Sequence, residues 1–410
     1  MSQIETYDAV VVGASFAGLA AAGQLSGAGR VLLVDREPIG AGQTSACGTL
    51  LAVLERLDAG DALEQVHPRV VLNVAGRRVG FDTTHRPFAT FDYATLCQVL
   101  ASQLGDVQVA VAPFGGIDPD GTLRLGARRV RAAVLIDASG WRRVLARALG
   151  APPLDRAHTS TGVETGTAHA GCALEFWFRP PGRPDGVHWA FPAGDHVREG
   201  TASYLAHPHG LKRDLTRFTH VDELPAKAIH GGAFPSRLAE PVTDKVFLVG
   251  DAAGQCLPLT GEGIRPALVF GQEAGRQARA VLLGRQDLPT ALARYRTAVT
   301  RTRPAYRTLE HMQSWALHLP PSVVAHAVRT SASPRLSPLL QAAYWQVANP
   351  DTLRAAPDTK ATRTLSRVPC TSGPAAHRAE DATDLAACAA SCDCPPGTHA
   401  PQTAGCCLAP

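Results

Sequence analysis

The sequence lacks an uninterrupted apolar run long enough to cross a membrane. Its longest apolar stretch, residues 9–25, is broken by Gly13, Ser15 and Gly18, and it therefore predicts a strand, a turn and a helix. The first residues also lack the positive start, apolar run and cleavage site of a secretory signal. We therefore expect a cytoplasmic protein without an obvious membrane anchor.

The chain also lacks blocks of charge of one sign. Its 40 Lys and Arg residues and 36 Asp and Glu residues are mixed along 410 residues, so the sequence carries no basic footprint for nucleic acid. A chain of this length is expected to form two or three domains with a sizeable core. No internal repeat is present.

Metal-ligand spacings are missing as well, and we predict no metal site. Cys47, Cys97, Cys172 and Cys256 are scattered, as is usual for reduced cysteines in a cytosolic enzyme. Six more cysteines crowd residues 370–407, but their spacing is not that of a zinc ribbon. For this end of the chain a loose tail is expected, with soft-metal binding or disulfide exchange as alternatives.

A nucleotide-binding βαβ unit is predicted at the start of the chain, from strands at 7–12 and 31–34 around a helix at 17–25. Its first turn, Gly13-Ala-Ser-Phe-Ala-Gly18, matches the pattern G-x-G-x-x-G except at Ser15. Gly13 permits the tight turn, and Gly18 lets helix and strand pack closely. The N-terminus of the helix then faces the pyrophosphate of a dinucleotide.

An acidic residue completes this fingerprint. Asp35 ends the second strand, where a carboxylate can accept hydrogen bonds from both ribose hydroxyls, and Arg36 is expected beside the adenine. This motif does not separate FAD from NAD. The residues predicted to bind this half of the cofactor are Gly13, Ser15, Phe16, Ala17, Gly18, Asp35 and Arg36.

A distant segment favours FAD. A buried strand at 246–249 ends in a Gly-Asp pair, whose carboxylate can bind the ribityl hydroxyls that NAD lacks. A turn and a Gly-Glu-Gly triplet then open a helix at 264–282, whose N-terminus can stabilise negative charge on a reduced flavin. The residues predicted to bind the flavin half are Gly250, Asp251, Pro258, Gly261, Glu262, Gly263 and Ile264.

The expected fold is α/β, a Rossmann-like FAD-binding domain with an inserted antiparallel-sheet substrate domain. Buried strands at 7–12, 31–34, 132–136 and 246–249 predict one parallel sheet, and the alternating pattern from 159 to 239, with strands at 173–179 and 188–191, predicts the antiparallel one. A helix is expected at 289–318, interrupted near Pro304. The predicted boundaries are 1–158 and 240–285 for the FAD-binding domain, 159–239 for the substrate domain, 286–354 for a helical region and 355–410 for the tail.

The sequence resembles the glutathione-reductase-type FAD proteins with a hydroxylase-like fold, and within them the geranylgeranyl reductases. The resemblance spans about residues 6–300 and rests on three segments: Gly250-Asp-Ala-Ala-Gly254 with Pro258-Leu-Thr-Gly-Glu-Gly-Ile264, Trp189-Ala-Phe-Pro192, and Cys47-Gly48. It implies a flavin-dependent reductase of carbon–carbon double bonds in an isoprenoid or similar apolar substrate.

Related hydroxylases and halogenases carry variants of these segments, so a monooxygenase or halogenase is the alternative enzyme. Two departures weigh against it: Asp137-Ala-Ser-Gly140 replaces an Asp-Gly motif, and Tyr93 stands where many relatives have an arginine. The halogenase W-x-W-x-I-P signature is missing. A non-enzymatic, redox-sensing flavoprotein with the tail cysteines as partners is the third hypothesis.

The resemblance places Cys47 at the flavin face, where its thiol is our candidate to protonate the substrate; a buried core residue is the alternative. It also places Gly48 with the cofactor. Trp189 and Phe191 are predicted to line the substrate cavity, unless they are plain core aromatics. Cys256 is a weaker candidate at the flavin edge, and His188 is expected to be satisfied locally.

No second nucleotide fingerprint follows a strand, so the chain lacks a domain dedicated to NAD(P)H. Electrons must then come from transiently bound NAD(P)H or from a redox protein. An apolar substrate would also favour transient contact with a membrane surface.

Overall fold

The computed structural model describes residues 3–205, 208–221 and 223–355. All of them belong to one compact unit, Met1–Gly373. The predicted tail from 356 on, with its six cysteines, lies outside the described residues.

The strands of the described chain form three sheets. In chain order they are β1 (Ile4–Val12), β2 (Val31–Asp35), β3 (Gly48–Leu50), β4 (Leu63–His67), β5 (Arg69–Val74), β6 (Arg77–Asp82), β7 (Phe88–Phe91), β8 (Gln108–Val111), β9 (Phe114–Ile117), β10 (Leu123–Leu125), β11 (Arg128–Asp137), β12 (Thr159–Thr167), β13 (Leu174–Phe178), β14 (Gly186–Ala193), β15 (His196–Ser203), β16 (His230–Pro235), β17 (Val242–Thr243) and β18 (Val246–Leu248).

The helices surround these sheets and dominate the C-terminal part. They are α1 (Phe16–Gly23), α2 (Leu51–Arg56), α3 (Tyr93–Ser102), α4 (Val144–Ala148), α5 (Leu211–Thr219), α6 (Ile264–Leu282), α7 (Leu288–Thr300), α8 (Arg303–His318), α9 (Pro321–Ser331) and α10 (Ser337–Gln346). None of the helices within the described ranges is both long and apolar enough to cross a membrane.

The predicted parallel sheet is confirmed. Strands β18, β11, β1, β2 and β8 pair in parallel in that order, and β17 extends the sheet antiparallel at one edge. The central strands are apolar on both faces because one face packs on helices α1 and α6 and the other on the β9–β10 hairpin and α4. Two-sided burial explains their continuous apolar sequences.

Close packing of α1 on α6 joins the two predicted halves of the cofactor domain. A methyl group added at Gly271 in α6 would lie 2.5 Å from the Ala17 carbonyl oxygen, and one at Gly275 would lie 2.4 Å from that of Ala21. The helices can therefore approach this closely only because α6 presents glycine at these two positions.

The predicted antiparallel sheet is also confirmed, with strand order β16-β12-β15-β14-β13-β5-β6. Its strands between 159 and 239 pair antiparallel. Strands β5 and β6 come from the earlier part of the chain, and β5 joins β13 in parallel with Leu174 opposite Val70. This layer is thus completed by residues that the alternating pattern after 159 does not include.

The interruption predicted near Pro304 is confirmed. Helix α7 ends at Thr300 and α8 begins at Arg303, with the proline in its first turn, where its missing N–H costs no hydrogen bond. Helices α8 and α9 then pack against β5 and β13 through Val324, Ala325 and Phe178. Helices α8 and α9 therefore lie against the antiparallel sheet.

Candidate functional site

A cavity of about 1570 Å³ connects the two large sheets. Its lining begins at the turn after β1 and the end of β2, continues past the segment after β18 and ends between the antiparallel sheet and helices α8–α10. The carboxyl ends of parallel strands are the usual place for ligands in such sheets. The cavity is therefore the candidate functional site.

At one end lie the residues predicted to hold the adenosine half. Gly13, Ser15, Phe16, Ala17, Asp35 and Arg36 all line the cavity. The carboxylate of Asp35 accepts hydrogen bonds from the backbone N–H of Ala14 at 2.6 Å and of Glu37 at 3.1 Å. These bonds fix the carboxylate at the cavity wall, where its remaining lone pairs can accept hydrogen bonds from a ligand.

Gly18 does not line the cavity; it serves the packing that the fingerprint predicts for it. A methyl group at this position would lie 1.8 Å from the Gly13 carbonyl oxygen. Gly13 itself has φ of 108°, a conformation that glycine adopts readily. Together the two glycines bring the start of α1 against the end of β1.

Tyr93 forms part of the wall beside this fingerprint. Its hydroxyl lies 3.2 Å from the Ser15 hydroxyl, and its ring packs edge-on against Phe16 with centroids 5.2 Å apart. Burial raises the pKa of Tyr93 well above its ordinary value, so the neutral phenol persists at physiological pH. Position 93 thus carries a neutral hydrogen-bonding group beside the fingerprint.

The second half of the predicted cofactor site meets the first in the same cavity. Gly250, Asp251 and the segment 261–264 line it, whereas Pro258 does not. Helix α6 begins at Ile264 after Gly263, without a side-chain cap, so its first backbone N–H groups remain available to a ligand. The chain thus places a helix N-terminus and a carboxyl group at this end.

Asp251 lines the cavity, and its carboxyl group lacks hydrogen-bond donors from the described residues. Burial alone raises the pKa of Asp251 to about 6, and no hydrogen bond to its carboxyl group is found among the described residues. Asp251 is half-buried at the cavity wall, and a carboxylate in such a place is stabilised by hydrogen-bond donors. A hydroxyl-bearing ligand in the cavity would supply the missing donor, which fits a ribityl chain.

Glu262 is held mainly by the protein itself. Its carboxylate makes paired hydrogen bonds with the Arg265 guanidinium, both at 2.7 Å, and accepts another from the Tyr344 hydroxyl at 2.6 Å. Arg265 also donates to the backbone carbonyls of Val347 and Ala348. This network ties the start of α6 to the end of α10 and so fixes the cavity wall.

Cys47 is fully buried beside the cavity but does not line it, although Ala46 and Gly48 on either side do. Its thiol lies 3.4 Å from the Ser45 carbonyl oxygen, and burial raises the pKa of Cys47 well above its ordinary value. The thiol is therefore protonated at neutral pH. Its role as a proton donor stays a prediction.

Gly48 brings the cofactor side and the antiparallel sheet into contact. A methyl group at Gly48 would lie 3.0 Å from the ring of Phe191. Phe191 and Trp189 both line the cavity, and Phe191 packs edge-on against Phe176 with centroids 5.2 Å apart. The glycine allows this aromatic wall to approach the loop that carries Cys47.

Glu164 is a cavity residue that the sequence patterns did not reveal. It is 2% exposed, and its carboxylate accepts a hydrogen bond from the Trp189 indole N–H at 2.6 Å and lies 3.0 Å from Nε2 of His230. Strands β12, β14 and β16 bring these three side chains together. Because the partners lie far apart in sequence, the W-x-F-P segment, which contains Trp189, was the only motif that pointed to this part of the cavity wall.

Of the two weaker candidates, Cys256 and His188, only Cys256 lines the cavity. Cys256 lines the cavity next to the start of α6, and burial raises the pKa of its thiol. His188 does not line the cavity; its ring stacks on Phe218 with centroids 4.6 Å apart. The expectation that this histidine is satisfied locally stays a prediction.

Comparison with known proteins gives the family. The chain is 30% identical over 308 residues to a digeranylgeranylglycerophospholipid reductase of Methanospirillum hungatei, covering 66% of this chain and 75% of that protein. A search of family models finds no match. At this identity and coverage the two proteins belong to one family.

Solved structures agree on the fold. A geranylgeranyl bacteriochlorophyll reductase-like protein of Thermoplasma acidophilum superposes with a TM-score of 0.71 at 20% identity, over 85% of this chain and 98% of that one. A p-nitrophenol 4-monooxygenase of Pseudomonas putida superposes with a TM-score of 0.66 at 16% identity, over 84% and 99%. The chain thus belongs to the geranylgeranyl reductase family and is a flavin-dependent oxidoreductase.

Proposed function

We propose that this enzyme binds FAD and reduces carbon–carbon double bonds of an isoprenoid or similarly apolar substrate. The observation that carries the proposal is the single cavity, which joins a dinucleotide fingerprint to a large apolar chamber. The family relationship to isoprenoid lipid reductases supports it.

FAD, rather than a smaller flavin, accounts for both ends of the cofactor region. Asp35 and the start of α1 would hold the adenosine ribose and the pyrophosphate, and Asp251 and the start of α6 would hold the ribityl chain and the flavin ring. When bound, the flavin supplies the two electrons of the reduction as a hydride. An external donor, NAD(P)H or a redox protein, must replenish them.

The chamber beyond the flavin region suits a hydrocarbon chain. Its walls are mainly apolar, and the cationic side chains that line the cavity, Arg36 and Arg142, lie after β2 and β11 at the nucleotide end. An apolar ligand gives up no hydrogen bonds with water on entering such a chamber, whereas an unpaired phosphate would lose its hydration and would be strongly disfavoured. The geometry therefore favours an uncharged polyprenyl segment in contact with the flavin.

Glu164 is the proton source that we favour from the geometry. Its carboxyl group lines the chamber beside Trp189, and His230, whose side chain is 28% exposed, links it to solvent. A proton given to the second alkene carbon would be replaced through His230. Cys47 remains the competing prediction, although its thiol does not face the chamber.

Two measurements test the proposal. The cofactor released from the purified protein should be FAD and not FMN, as resolved by chromatography. After anaerobic reduction with dithionite, the flavin absorbance should return when a detergent-dispersed polyprenyl alkene is added, and it should not return with a saturated analogue. Reoxidation by phenols and oxygen alone, with the alkene inert, would instead support the monooxygenase alternative.

A further inference from the structure

The rim of the chamber is unusually apolar for an exposed surface. Trp315 is 64% exposed, Leu319 42%, Val323 47% and Leu340 45%. These four residues also line the cavity, so they surround its opening rather than lying scattered over the surface. We call them, together with Met312 and Leu339, the apolar rim.

The segment that carries this rim is free of acidic residues. Residues 311–350 contain no Asp or Glu, but they contain Arg329, Arg335 and three histidines. Both arginines are exposed, one on α9 and the other in the turn before α10. The acidic residues that flank this segment, Glu310 and Asp351, are paired with arginines outside it. Asp82 of β6 lies beside α10, where its backbone carbonyl accepts a hydrogen bond from Gln341. The rim segment therefore combines apolar side chains with two exposed arginines, which form no ion pair within the described part of the chain.

Apolar side chains flanked by arginines match the surface of an anionic bilayer, where the side chains enter the acyl boundary and the arginines meet lipid phosphates. We propose that the apolar rim of α8–α10 docks on an anionic phospholipid membrane, so that a membrane-dissolved polyprenyl chain enters the chamber directly from the bilayer. This inference rests on the proposed function, and it explains how a mainly apolar chamber receives a substrate whose polar end stays outside.

Continuity with the chamber distinguishes a membrane from other occupants. A second copy of the chain or the segment 356–410 seated on the rim would cover the opening through which the substrate must pass. A bilayer covers the same side chains and, at the same time, leaves the opening accessible to a substrate dissolved in it. The surface is therefore assigned to lipid, and the other occupants become outcomes of the test.

Vesicle flotation of the full-length protein tests the assignment. It should bind vesicles of phosphatidylcholine with phosphatidylglycerol and bind pure phosphatidylcholine much less. Leu339→Asp changes the most exposed rim residue, at 68%, which does not line the cavity; it should weaken binding about ten-fold. Neutralising Arg329 or Arg335 with Gln should weaken it about five-fold each.

Val111→Asp is the matched control, because Val111 is 58% exposed at the far edge of the parallel sheet; its vesicle binding should equal that of the wild type. Unchanged binding of Leu339→Asp, or no binding of the wild type, overturns the proposal, and a dimer that Leu339→Asp dissociates would assign the rim to a second copy. Reduction of detergent-dispersed alkene by Leu339→Asp should stay normal, so failure of docking and failure of the reductase function remain distinguishable.

Discussion

Asp251 is a half-buried cavity residue whose carboxyl group accepts no hydrogen bond from the described residues. Its pKa is raised to about 6 by burial, because the surrounding chain offers its charge no donor. A group whose pKa is raised on folding stabilises the folded state below its ordinary pKa of 3.8, and that stability is lost as the pH rises through 6. The cofactor-free protein thus carries a cost at neutral pH.

Asp251→Asn should remove that cost. Between about pH 4 and about pH 7 the free energy of unfolding of the cofactor-free variant should gain up to about 3 kcal/mol relative to wild type, measured by urea denaturation. Bound FAD should abolish this difference, since its hydroxyls would then satisfy the carboxylate, and the variant should bind FAD more weakly. An identical pH dependence of both proteins without cofactor would contradict this account.

Glu164 and Cys47 can be separated by substitution. Glu164→Gln keeps an acceptor for the Trp189 indole but removes the acidic proton, and we expect kcat to fall about 100-fold or more while binding of a prenyl analogue to the cofactor-free protein is kept. Cys47→Ala should behave like Cys97→Ala, the control for another fully buried thiol. A large loss of kcat in Cys47→Ala alone would instead support the thiol as donor.

At the scale of elements, the contact between α1 and α6 holds the cofactor region together. Gly271→Ala places a methyl group 2.5 Å from a backbone oxygen of α1, so the helices must separate. We expect a loss of about 2 kcal/mol or more in the free energy of unfolding, with weaker FAD binding.

Gly23→Ala provides the matched control, because a methyl group at this last residue of α1 meets nothing closer than 3.9 Å. It should leave stability unchanged or raise it slightly, since alanine favours helix. Equal losses in both variants, measured by thermal and urea unfolding, would show that helix contact does not explain the effect.

The elements that sequence could predict are those with a local signature. The β1–α1–β2 unit, β11 and β18 have continuous apolar runs and a glycine turn between buried strands. Strands β5 and β6 escaped prediction as members of the antiparallel sheet because β5 pairs with β13, about 100 residues away. Glu164 escaped for the same reason, since three separate strands create its surroundings.

At the scale of the whole molecule, one cavity contains the predicted cofactor region, the aromatic wall and the apolar chamber in succession. The cofactor region lies between the parallel sheet and α6, the aromatic wall of Trp189 and Phe191 follows, and helices α8–α10 enclose the far end. The domain boundaries at 158, 239 and 285 remain predictions; the cavity crosses them, because no single segment supplies all of its walls.

Product analysis after one turnover tests the central claim most directly. The purified enzyme, reduced under argon, should convert a polyprenyl alkene into a product heavier by two hydrogen atoms, with the flavin reoxidised in equal amount. The same product should form in air at lower yield, because oxygen competes for electrons. A product that contains an added oxygen atom, formed only in air, would contradict the account.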